Sequence, residues 1–190
     1  SKKMSLNGMI RVIKFLLNSF PRSLLIRLSI LFNPLFNFFL RGTKFTDPIN
    51  GKSYSKFFPY GYNKQRKNSL SLGTLSLERH RLLWLFLKNE TSFFNSENKI
   101  LHIAPEQCFY SFFKKHFKNY YTADLNSPLA EYKVDICKMP FEDNSFDFIL
   151  CNHVLEHVYD DDLAIKELRR VLKKNGIAIM QVPIKNELNK

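Results

Sequence analysis

Pro140-Phe-Glu-Asp-Asn-Ser-Phe-Asp-Phe-Ile-Leu-Cys-Asn-His-Val-Leu-Glu-His157 decides how this chain folds. Its middle, Phe146-Asp-Phe-Ile-Leu150, is a short apolar run and predicts a buried strand. That strand opens into the polar segment Cys151-Asn-His-Val-Leu-Glu-His157. Toward the C-terminus, Asp160 to Lys174 predicts a helix. Aspartates at its start suit the helix dipole, Leu163, Leu168, Val171 and Leu172 form an apolar side, and lysines with Gly176 close it. Ile177 to Val182 then predicts a strand, ended by Pro183. Toward the N-terminus, Ile100-Leu-His-Ile103 is a short apolar strand. Phe109, Phe112, Phe113 and Phe117 follow at helical spacing, and Tyr120 to Ala123 and Val134-Asp135-Ile136 give two more strands. Strands alternating with helices imply a parallel sheet, a Rossmann-like doubly wound α/β domain.

Ligands in such sheets sit at the carboxyl ends of the strands. The first strand leads into Ala104-Pro-Glu-Gln-Cys108, and the second ends at Asp124, about 20 residues on. An acid there is placed to take two ribose hydroxyls in a bidentate hydrogen bond. Asp135 is placed to accept from an exocyclic adenine amine. A turn aspartate alone is common; the ordered set is the stronger signal.

Leu101-His-Ile-Ala-Pro-Glu106, Ala123-Asp124, Val134-Asp135-Ile136, the Pro140 to His157 stretch and Glu167-Leu-Arg-Arg-Val-Leu-Lys-Lys-Asn-Gly176 resemble a class I S-adenosylmethionine-dependent methyltransferase. Bacterial methyltransferase-domain proteins with a Leu-His-x-Ala-Pro-Glu first motif are the nearest in kind. The resemblance covers about residues 99–184 and implies S-adenosylmethionine as cofactor. His102, Ala104 and Glu106 would hold its methionine part, with Glu106 pairing with the amino group. Asp124 would bind ribose, Leu125 would line the adenine, and Asp135 and Ile136 would bracket the adenine edge. Asn152 and His153 would lie beside the sulfonium. The family's first motif is normally glycine-rich; here His102, Ala104, Glu106 and Cys108 stand in those places. Glycines permit close backbone approach and positive φ, so this departure bears on cofactor affinity. His153 and His157 are the candidate catalytic bases, since imidazole titrates near neutrality. His153-Val-Leu-Glu-His157 also matches a zinc-protease pattern, which the surrounding strand–helix alternation argues against.

Charge divides the chain differently. The formal net charge is +12, yet residues 1–100 carry 17 basic and 4 acidic side chains, and residues 101–190 carry 12 and 13. Residues 1–46 contain no acid at all. Met9, Ile10, Val12, Ile13, Leu16 and Leu17 recur at helical spacing, and a second apolar stretch runs between Pro21 and Pro34. Two or three short helices broken at those prolines are expected, apolar on one side and basic on the other. Such helices suit either an anionic membrane surface or the flank of the protein itself. Nucleic acid is disfavoured, because no recognised binding motif accompanies the charge.

Residues 42–74 alternate short strand-like pieces such as Tyr54 to Tyr60 with Gly42, Gly51, Gly61 and Gly73. Asp47-Pro-Ile-Asn50 and Ser71-Leu-Gly-Thr74 stand where related proteins carry cysteine knuckles. Asn, Ser and Thr are poor zinc ligands, so no metal is expected. Ser76 is the expected N-cap of the next helix, with a Glu78–Arg81 pair in its first turn. Three regions follow: a basic apolar helical segment, 1–41; a loop-rich, zinc-ribbon-like subdomain, 42–75; and the Rossmann-like domain with its leading helix, 76–190.

Cys108, Cys137 and Cys151 are odd in number and widely spaced, which argues against a disulfide scaffold and for the cytoplasm. There the N-terminal segment would touch the inner face of the membrane. Sheets of this family continue past the fifth strand, whereas this chain stops at Lys190. A truncated product, or a partner that completes the sheet, is therefore expected. Methyl transfer to an unidentified acceptor is the leading functional expectation: an envelope sugar, a lipid-linked molecule or a small anion. The alternative is a catalytically inactive module that keeps the fold for binding.

Overall fold

The computed structural model describes residues 21–61 and 65–183. The helical spacing noted at Met9 to Leu17 lies outside them. The chain divides into two compact units, residues 1–78 and residues 79–190, so the helical segment and the loop-rich segment belong to one unit.

The first unit opens with one continuous helix, α1 (Arg22–Phe39), begun by Pro21. Pro34 lies inside it rather than ending it. A proline removes one backbone donor and crowds the preceding turn. Pro34 sits close enough to the C-terminus that the last turn still closes, Leu40 N–H donating to the Phe36 carbonyl across 3.0 Å. β1 (Arg41–Asp47) pairs antiparallel with β2 (Lys52–Tyr54), and β3 (Phe58–Tyr60) with β4 (Arg66–Leu70). The expected single strand from Tyr54 to Tyr60 is thus two strands in two separate sheets.

The two knuckle-like turns meet at Asp47, which is fully buried. Its carboxylate accepts from Ile49 N–H at 3.0 Å, from the Thr74 hydroxyl at 2.6 Å and from the Ser76 hydroxyl at 3.2 Å. Asn50 instead donates to the Tyr54 hydroxyl at 2.7 Å. Buried polar groups need such partners, and here one carboxylate ties both turns together. The Ser76 hydroxyl is joined to Asp47, and the next helix starts two residues later, at Glu78. Glu78 pairs with Arg66. Hydrogen bonding to the Arg66 guanidinium holds the Glu78 carboxyl down at about 2.

The second unit contains α2 (Glu78–Asn89), β5 (Lys99–Ile103), α3 (Gln107–His116), β6 (Asn119–Ala123), β7 (Phe146–Asn152), α4 (Asp161–Val171) and β8 (Leu172–Gln181). The four strands form one parallel sheet in the order β6-β5-β7-β8. Helices cover both faces, as a doubly wound fold requires. Leu101, Ile103, Ile149 and Cys151 pack with Ala164, Leu168 and Val171 of α4. His102 and Phe148 point the other way, into a cluster built from Trp84 of α2, Phe93, and Phe109 and Phe113 of α3. This strict alternation along β5 is the period of two that a strand imposes.

Two expected elements differ. Val134-Asp135-Ile136 is not a strand. The chain there touches β6 only through an isolated parallel bridge, Ala123 to Tyr132, leaving the 134–136 backbone out of the ladder. The helix expected to reach Lys174 ends at Val171, because Leu172 already pairs with Phe146. The register then shifts before Phe148 meets Ile177. Gly176 belongs to that bulge rather than to a helix cap: an added Cβ would stand 2.7 Å from the Leu172 Cδ1 and 3.0 Å from the Asp147 carbonyl.

Candidate cofactor site

In this sheet β5 is flanked by β6 on one side and β7 on the other, so the chain reverses its winding direction there. A crevice at such a switch point is where open α/β sheets bind ligands. Ala104, Asp124 and His153 are the first residues beyond the ends of β5, β6 and β7. All three line a cavity of about 790 Å³ together with Leu125, Asp135, Ile136 and His157.

Local chemistry explains the shape of each wall. Asp124 Oδ1 accepts from the N–H groups of Asn126 at 2.7 Å and Ser127 at 2.5 Å, which folds the loop after β6 into an Asx turn. Asp135 Oδ1 does the same for Cys137 N–H at 2.9 Å. Ala104 has φ +49° and His153 has φ +56°, both in the left-handed region that favours glycine. The first loop therefore takes the turn that a glycine-rich motif would, but with an alanine in the strained position. Strain of this kind persists where the surroundings over-determine it. Ala104 N–H donates to the Ala123 carbonyl at 2.9 Å, and His153 N–H to the Gln181 carbonyl at 2.7 Å.

Behind the cavity lies a polar network that the sequence only partly announced. His102, fully buried, places Nε2 2.5 Å from Glu106 Oε2 and Nδ1 2.7 Å from the Tyr120 hydroxyl. Asn152 Nδ2 donates to Glu106 Oε1 at 3.0 Å. Burial pushes the Glu106 carboxyl up, but the hydrogen bond and charge of His102 outweigh it and hold the group below its ordinary value. Tyr120 is driven well above its ordinary value, chiefly by burial. His80 is buried. Loss of solvent lowers its imidazole to about 4, against the opposing pull of Glu106. Of the residues expected at the cofactor, His102, Glu106 and Asn152 thus stand behind the cavity rather than on its wall. Each carboxylate oxygen of Glu106 has a partner within the protein, Oε2 with His102 and Oε1 with Asn152.

His153 and His157 both line the cavity, but not as neighbours on an α-helix. His153 is left-handed and only a short 3-10 turn, Leu155–His157, follows it. His153 Nδ1 stands 3.3 Å from Glu156 Oε1. Among the described residues no three His, Cys, Asp or Glu side chains are grouped to hold a metal ion. Tyr120 and His80 were missed as members of the network. Tyr120 could have been found from the strand period, which puts it on the same face of the sheet as His102.

Does S-adenosylmethionine fit these residues? Asp124 keeps Oδ2 out of the Asx turn. Leu125 is 58% exposed and Ile136 is buried, which gives the cavity two apolar surfaces. Asn152 Oδ1 is buried and accepts no hydrogen bond among the described residues, and a buried acceptor of that kind calls for a donor. An acid and apolar walls match the ribose and adenine of that cofactor.

Residues 106–180 match a family model described as a methyltransferase domain. This segment is similar to a methyltransferase domain. The chain is 45% identical over 64 residues to an uncharacterized protein of Methanocaldococcus jannaschii, covering 33% of this chain and 28% of that one. It is 44% identical over 45 residues to the demethylmenaquinone methyltransferase of Staphylococcus aureus, covering 24% of this chain and 19% of the enzyme. The chain thus spans less than a third of the length of the curated relatives it matches. Among solved structures, the YcgJ protein of Bacillus subtilis is similar at 24% identity and a TM-score of 0.45, over 53% of this chain and 50% of that one.

Proposed function

We propose that this protein transfers a methyl group from S-adenosylmethionine to an oxygen or nitrogen of a sugar-like, lipid-linked or small anionic acceptor. The observation that carries the reading is the cavity at the ends of β5, β6 and β7, with Asp124, Asp135 and His153 on its wall. When bound, the cofactor supplies a methyl carbon made electrophilic by its sulfonium. The protein's contribution is alignment, which in-line displacement needs more than acid–base chemistry.

Each residue has a task in this account. Asp124 holds the ribose hydroxyls through Oδ2, while its Oδ1 keeps the loop folded. Leu125 and Ile136 flank the adenine, and Asp135 reads its edge. Ala104 brings the first loop's backbone close to the methionine part, held there by its left-handed turn. Behind the wall, Glu106 with His102 keeps the Asn152 amide in orientation. His153 removes the acceptor's proton, with Glu156 holding Nδ1 so that the opposite nitrogen is the one that takes it. His157, on the exposed side of the same wall, serves the acceptor's approach. The acceptor's acidity suits the excess of basic residues in the first half of the chain. The reaction belongs to the cytoplasm.

Incubation with methyl-labelled S-adenosylmethionine and separated lipid, sugar-phosphate and small-molecule fractions of a bacterial extract tests this. Label incorporated by the wild-type chain, and lost with Asp124→Ala, is the expected result. Cofactor binding without label in any fraction would instead identify a binding module that has kept the fold.

A further inference from the structure

The first unit carries an apolar surface on the wrong side of its helix. Leu24, Leu28, Leu31, Leu35, Phe38 and Phe39 of α1 are exposed, Leu31, Phe38 and Phe39 by 71–73%. At 3.6 residues per turn these six positions fall within one arc of about 100°. The opposite side faces the protein. Ile26 there is buried, and Asn37, eleven residues further along and on the same side, accepts a hydrogen bond from the buried Tyr54 hydroxyl. A helix serving only to cover its own unit would turn its leucines inward. Among its described side chains, Ile26 and Asn37 face inward, and a stripe of leucine and phenylalanine faces outward from Leu24 to Phe39.

We infer that this stripe lies in the surface of an anionic lipid bilayer, parallel to its plane. Charge selects this occupant over the others. Residues 1–46 hold eight Lys or Arg and no Asp or Glu. An anionic surface neutralises such a segment, each basic residue near it adding to the attraction. A second copy of the chain would bring two such segments together and repel. A span across the bilayer is not available to this helix: among the described residues none is long and apolar enough. An apolar face on a strongly basic segment is the pattern of helices that lie in the interface. The inference is independent of the methyltransferase reading, since it rests on the first unit alone.

Flotation of the full chain with unilamellar vesicles tests it. One set is phosphatidylcholine alone, the other equal parts phosphatidylcholine and phosphatidylglycerol. The wild type floats with the anionic vesicles and not with the neutral ones, and half-molar salt weakens the association. Leu31→Glu with Phe38→Glu lowers partitioning at least about tenfold, because two charges enter the buried face. Both sites are exposed, so circular dichroism and thermal unfolding stay close to wild type. Leu82→Glu, at an exposed leucine of α2, is the control and leaves flotation intact. The inference fails if the wild type stays in solution with anionic vesicles, or if it binds both vesicle types equally. It fails likewise if the double variant floats as well as wild type. Sedimentation velocity without lipid covers the remaining occupant: self-association abolished by the same double variant would assign the stripe to a second copy and overturn the proposal.

Discussion

The side-chain amide of Asn152 donates to the Glu106 carboxylate across 3.0 Å, joining the end of β7 to the loop after β5. His102 holds the other carboxylate oxygen from within the sheet. A buried carboxylate shared in this way is costly to leave half-paired. Glu106→Ala strands His102 Nε2 and Asn152 Nδ2 and is expected to cost about 3 kcal/mol in urea unfolding. In a cycle with Asn152→Ala, the double variant loses less than the sum of the two single losses, with a coupling of at least about 1 kcal/mol. Additive losses would mean that the hydrogen bond contributes nothing.

Ala104 pays in backbone strain for the turn that shapes the first loop. Ala104→Gly relieves it and is expected to stabilise the fold by about 0.5–1 kcal/mol, the reverse of the usual glycine penalty. Cofactor affinity rises or stays level. Ala104→Val, β-branched at φ +49°, lowers the melting temperature. A glycine variant that melts earlier than wild type would remove strain at this position from the account.

Acid should unfold this protein through His80. Its imidazole titrates near 4 when folded against an ordinary 6.5, because burial penalises the charged form. The unfolded chain therefore binds the proton first. Stability is complete above pH 6.5 and falls as pH drops from there toward 4, by up to about 3 kcal/mol. Glu106, whose carboxyl is held below its ordinary value, adds a loss at the acid end of that window. Denaturant midpoints measured from pH 7.5 to 4.5 check this. His80→Phe flattens the upper part of the curve, and an unchanged slope would assign the effect to other groups.

Arg170 donates to Glu167 and Asp143 and to the carbonyls of Phe141 at 2.7 Å and Met139 at 2.9 Å. It thereby fixes the segment that enters β7. Arg170→Ala is expected to cost about 1–2 kcal/mol. Arg170→Lys recovers little of that, since one ammonium cannot reproduce the planar fork.

What the sequence disclosed follows from where local pattern and tertiary context agree. β5 and β7 are continuous apolar runs buried on both faces, and no other element can use such a run here. Phe109 to Phe117 has only the helical reading. The same is true of the strand-end residues: Asp124 and His153 line the cavity because strand ends set their place before any packing does. Val134-Asp135-Ile136 has strand composition, but the loop from Leu125 to Lys133 returns to β6 only at Tyr132, so no ladder forms. Ser76 is tied by its hydroxyl to a buried carboxylate 29 residues away, a contact no local pattern announces. Leu172 to Gly176 has helical propensity, but pairing with Phe146 starts the strand early. Pro34 cannot stop a helix whose last turn already closes beyond it. His80 stands between the charged Arg79 and Arg81 in sequence, and its burial against Phe109, far along the chain, is a tertiary fact.

Calorimetric titration of the full chain with S-adenosylmethionine tests the central claim most directly. The account predicts saturable binding below millimolar concentration, weakened about tenfold by Asp124→Asn, which keeps the Asx-turn acceptor while removing the charge that holds the ribose. Absence of binding at millimolar cofactor, by a wild-type chain shown to be folded, would contradict it.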